Sequence, residues 1–82
     1  MTQEAFEKAK KLIASRDSYG RLVDAVSDAQ KYWSTRIFVQ YEQYEKREDL
    51  CFPKDMRDRV LAMAKDYYLS QIEKLNAELE AL

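Results

Sequence analysis

An 82-residue chain with one cysteine and no histidine is expected to form a single domain, 1–82, with a small core. It has no disulfide framework and little to hold a structural zinc. Its 14 basic and 15 acidic residues leave a net charge of −1 and are interspersed, so the basic footprint that duplex nucleic acid requires is missing.

A first helix is predicted over 2–16, with Thr2 as its cap and Phe6, Ala9, Leu12 and Ile13 on its buried face. Asp17-Ser18-Tyr19-Gly20 holds the only glycine and reads as a break or kink, with a continuous helix as the alternative. Leu22, Val26, Ala29 and Trp33 then carry a helical face on to about Lys31. The N-terminal third, 2–31, is therefore a helical hairpin or one bent helix.

From Tyr32 the period changes to two. Trp33, Thr35, Ile37, Val39 and Tyr41 alternate with Ser34, Arg36, Phe38, Gln40 and Glu42, which predicts a strand with one buried face. Phe38 on the polar side suggests that this side is also covered, by another subunit. The charged run 42–48 is expected to be a loop or a ragged continuation of the strand. Leu50-Cys51-Phe52 before Pro53 is a second candidate strand, closing a long-tipped hairpin over about 33–52. Cys51, between two apolar residues, is expected to be a small core residue.

Pro53 suits a helix start, and Leu61, Ala64, Tyr68, Ile72, Leu75, Leu79 and Leu82 recur at spacings of three and four. These predict a long amphipathic helix over 53–81. A second row, Met56, Val60, Met63 and Tyr67, is expected to widen its buried face. Beyond Tyr68 the stripe narrows to a coiled-coil-like seam. That seam packs either on the chain's own N-terminal helix or on the same helix of a second subunit. The second option is preferred, because little chain remains to cover it. A two-stranded hairpin also leaves bare edges. The expectation is thus an α+β homodimer or higher homo-oligomer, with Phe38, Tyr68, Ile72, Leu75, Leu79 and Leu82 at the interface.

Catalytic machinery is not legible. The chain has no histidine base, Gly-rich loop, nucleophile elbow or P-loop. The carboxylate pairs Asp24/Asp28 and Asp55/Asp58 lack the accompanying Glu-x-x-His element, so neither metal nor cofactor is expected. Asp55 and Asp58 complement the dipole of the long helix instead. Aromatic residues concentrate away from the N-terminus, at Tyr19, Tyr32, Trp33, Phe38, Tyr41, Tyr44, Phe52, Tyr67 and Tyr68. They serve as core and interface rings. Alternatively they join Arg36, Gln40, Tyr41, Tyr44, Arg47, Arg57 and Arg59 in a pocket that stacks a base and pairs with a phosphate.

No apolar run approaches membrane-spanning length or resembles a secretory leader, so a cytoplasmic protein without membrane contact is expected. From Tyr32 onward the chain follows an order of alternating strand, apolar–Pro and helix. That helix carries Tyr67-Tyr68 and Ile72-Glu73-Lys74-Leu75-Asn76-Ala77-Glu78-Leu79-Glu80. This order resembles small accessory proteins of phages and prophages. The resemblance implies an anti-defence factor in the bacterial host cytoplasm, an oligomer that sequesters a cyclic or ADP-ribose-type nucleotide between subunits. The other expectation is a protein–protein adaptor or inhibitor that binds a host protein through its exposed helix seam.

Overall fold

A computed structural model describes residues 2–32, 36–41 and 46–82. The fold is α+β and mostly helical. Helix α1 (Gln3–Lys31) is followed by β1 (Ile37–Tyr41), β2 (Lys46–Leu50) and helix α2 (Lys54–Glu80). The two strands pair antiparallel, with Ile37 opposite Leu50 and Tyr41 opposite Lys46.

Helix α1 begins as its sequence dictates. The Thr2 hydroxyl accepts a hydrogen bond from the Ala5 amide at 3.1 Å, satisfying one of the first-turn donors. The expected break at 17–20 is absent, and α1 runs unbroken through Gly20. One mid-helix glycine costs about 1 kcal/mol, less than the packing gained along a 29-residue helix. Helix α2 starts one residue after Pro53, which sits at the cap with φ −58°. The Arg57 amide donates to the Pro53 carbonyl at 2.9 Å, the first turn of the ladder.

The helices pack antiparallel along one seam. On α1 the half-buried positions Ala5, Ala9, Leu12, Arg16, Tyr19, Val23 and Val26 recur at alternating spacings of four and three. On α2, Arg57, Leu61, Ala64, Tyr68, Gln71 and Leu75 do the same, with Ile72 and Leu79 half-buried beside them. That is the heptad geometry of a coiled coil. The Tyr19 and Tyr68 rings meet at 6.0 Å between centroids, and Arg16 Nη1 donates to Asn76 Oδ1 at 3.2 Å. Continuing this register along the repeat sets Leu12 level with Leu75, and Val26 level with Leu61. So α1 is long enough to run beside the seam of α2 within the chain, where the sequence reading assumed that too little chain remained.

The Cα extents are 50 × 30 × 14 Å. A helix with its side chains is about 10–12 Å across, so the molecule is one layer deep. Its radius of gyration is 16.5 Å, against about 12 Å for a compact domain of this length. Its accessible surface is 6812 Å², against about 5,200 Å² for a typical folded monomer of its mass. One layer encloses almost nothing. Among the described residues Leu61 is the one buried apolar side chain, 8% exposed.

Several expectations change for the same reason. Met56, Met63 and Tyr67, expected to broaden the buried face, are exposed, Met63 at 71%. A two-helix layer covers one strip of each helix and no more. Val39, on the supposedly buried side of β1, is exposed, and Ile37 is half-buried. The second strand is Lys46–Leu50, sharing only Leu50 with the expected Leu50–Phe52. Its five residues are all exposed, so backbone pairing can be made from charged residues with no core to satisfy. Cys51 is exposed, outside the strand. Trp33, Thr35 and the tip 42–45, including Tyr44, lie outside the described residues.

Candidate functional site

The alternation of side chains along paired strands gathers three of the expected ligand residues on one face of the hairpin. Phe38 and Gln40 of β1 lie opposite Asp49 and Arg47 of β2, and Arg36 precedes Phe38 by two residues on the same side. The Arg47 guanidinium sits 3.7 Å from the Phe38 ring centroid, a cation–π contact. Arg36 Nη1 and Arg47 Nε each approach an Asp49 carboxylate oxygen at 3.7 Å. All these groups are exposed, and exposed ion pairs are worth under about 1 kcal/mol.

The other two arginines are elsewhere. Arg57 occupies the helix–helix seam, 8% exposed, with Nη2 at 3.6 Å from Asp58 Oδ1. Arg59 is exposed, about 200° round the helix from Arg57. Tyr41 pairs with Lys46 through its backbone position. Of the expected interface residues, Phe38 is on the hairpin under Arg47, Tyr68 packs on Tyr19, Ile72, Leu75 and Leu79 are half-buried along α2, and Leu82 is exposed at its end.

Sequence reasoning missed a second grouping. Where the end of α1 meets the start of α2, Gln30, Lys31, Lys54, Arg57 and Asp58 line an open depression of about 300 Å³. Lys31 Nζ lies 3.7 Å from Asp28 Oδ1. Pro53 gives α2 no side-chain cap, so the amides of its first turn have no intrahelical acceptor, and the positive end of the helix dipole is there partly offset by Asp55 and Asp58. The volume is at the low end for small-ligand sites. The signal was present in the sequence: a hairpin between two antiparallel helices returns the chain to its starting point, which brings residues just before 32 beside those just after 53.

The described residues hold no group of three or more Cys, Asp or Glu placed to bind a metal ion, and no helix is long and apolar enough to cross a membrane. No protein-family model, no curated protein and no solved structure matches the chain.

Proposed function

We propose that this chain is a non-catalytic binding protein that works by helix–helix association, as an adaptor or inhibitor presenting an apolar helical face to another polypeptide. One observation carries the reading: the helix pair buries a single strip and leaves Leu22, Met56, Met63 and Tyr67 in water. Exposed apolar area on this scale marks an interaction surface, and exposed methionines suit one that accommodates a partner's shape. Immobilised wild-type chain and the Met63→Asp, Tyr67→Asp double variant, offered to a bacterial lysate, test it. The reading requires a protein retained by the first and lost by the second. Equal capture by both, or by neither when the chain is also monomeric, counts against it.

A second reading has its own observation in the basic depression. Lys31, Lys54 and Arg57 around the uncapped start of α2 suit a phosphate-bearing, nucleotide-like ligand, and sequestration of such a signal is what the resemblance to phage accessory proteins implies. Titration calorimetry with cyclic dinucleotides and cyclic ADP-ribose isomers, on wild type and Lys54→Ala, decides it. Absence of heat with every ligand removes this reading and leaves the first intact.

A further inference from the structure

The row on α2 that holds the exposed Met56, Met63 and Tyr67 and the half-buried Val60 has a counterpart on α1. Met56, Val60, Met63, Tyr67 and Ser70 follow one another at spacings of four and three. So do Ser18, Leu22, Ala25, Ala29 and Tyr32. Each row lies beside its helix's seam, and in an antiparallel pair with the observed register the two rows fall on the same face of the layer. Charged residues make up 35% of the chain, yet neither row contains one. The hydroxyl of Ser70 already donates to the Tyr67 carbonyl at 2.8 Å, and that of Ser18 accepts from Arg21 at 3.1 Å, so each of these hydroxyls already has one partner on its own helix. The opposite face is different: Asp17, Asp24, Asp58 and Lys65 are scattered among its apolar residues.

Resting on the helix-association reading above, we propose that the occupant of this uncharged face is a second copy of the chain, the two layers closing as a four-helix bundle. The rims supply the charge argument. Arg21 and Asp28 edge the face on α1, Arg59 and Asp66 on α2, and all are exposed. The register set by Tyr19 and Tyr68 puts Asp28 level with Arg59 and Arg21 level with Asp66. A two-fold axis along the helices lays each α1 over the other copy's α2, bringing Asp28 to Arg59 of the partner subunit and Arg21 to Asp66 of the partner subunit. A two-fold axis across the helices lays each helix over its own copy, and Arg21 then meets Asp28 while Arg59 meets Asp66. Either closed two-fold pairing sets opposite charges together, which an arbitrary partner would have to match by coincidence.

Area agrees. The rows span four turns, about 20 Å, across two helices, a projected footprint of about 400 Å² per copy before side-chain relief is counted. That is close to the roughly 1,000 Å² in total that a specific interface needs. It also falls within the chain's excess of about 1,600 Å² over the surface of a typical monomer of its size.

Sedimentation equilibrium of the full chain across a concentration series is the test. The wild type gives twice the 9.8 kDa chain mass, and Met63→Asp raises the dissociation constant about 100-fold or more by placing carboxylates in the closed face. Met63 is 71% exposed in the single chain, so the change leaves the helix pair itself unstrained. Should that variant nonetheless lose its helicity, the rim decides. Arg59→Asp weakens association several-fold, and adding Asp28→Arg or Asp66→Arg restores it, the first for an axis along the helices and the second for one across them. A dimer indifferent to both Met63→Asp and Arg59→Asp overturns the proposal. So does a monomer at every concentration. If that monomer still loses a captured protein on Met63→Asp, the association reading survives alone; if it captures nothing, both fail.

Discussion

Gly20 lies mid-helix, and a methyl group built there meets no atom within 4 Å. Its backbone is helical, so glycine's access to positive φ is unused and its extra unfolded-state entropy is only a cost. Gly20→Ala is expected to raise stability by about 0.5–1 kcal/mol, seen as a higher melting temperature in circular dichroism; a lower one would mean that the helix needs a bend there. Leu61 is the opposite case. It is the one buried apolar side chain described, and Leu61→Ala should cost about 2 kcal/mol, the low end for such truncations, because neighbours in so thin a layer can close on the gap. Arg57 beside it shows where single-residue reading stops. An arginine at a seam position looks like a solvated charge in the sequence, and only the return of α1 buries it.

At the scale of elements, the helices rest on each other while the hairpin is nearly self-contained. Two strands alone are marginal in water, so the Arg47–Phe38 contact at 3.7 Å and the shared Asp49 carry weight locally. Phe38→Ala should speed amide exchange across β1 and β2, by up to about fivefold for a contact worth about 1 kcal/mol, with the helical melt unmoved. A fall in the helical melt would show the hairpin braced against the helices. Legibility follows the same division. Helix α2 was plain from Pro53 and the three–four spacing, since an uninterrupted period has few other solutions. The continuity of α1 is obscured by Asp17, Ser18 and Gly20, the first two favoured at helix starts and the third at helix ends, and each overruled by the seam on either side. β2 was misplaced because Lys46–Leu50 shows no alternation to read, its strand identity residing in backbone pairing with β1. Arg36 and Gln40 share a face by period two alone, whereas Arg47 joins them only through the register of β2, and Lys31 and Lys54 required knowing that the hairpin closes.

For the whole molecule, the distinction that matters is between the seam that makes the helix pair and the face that the pair presents. Leu75 belongs to the seam: it is half-buried and the register sets it level with Leu12. Met63 belongs to the face. The same chemical change, apolar to carboxylate, should therefore do different things at the two sites. Leu75→Asp removes about 1–2 kcal/mol of apolar burial and adds the cost of a partly dry carboxylate. A domain of this size has no more than about 3–5 kcal/mol to lose. Its helicity should fall and its melt broaden even at concentrations where the chain is single. Met63→Asp should leave helicity in place under those conditions and act only on association. Circular dichroism at the lowest workable concentration separates the two. If Leu75→Asp stays fully helical there and merely fails to associate, the seam described here faces another subunit, and the intrachain pairing of α1 with α2 must give way to an exchange of helices between copies.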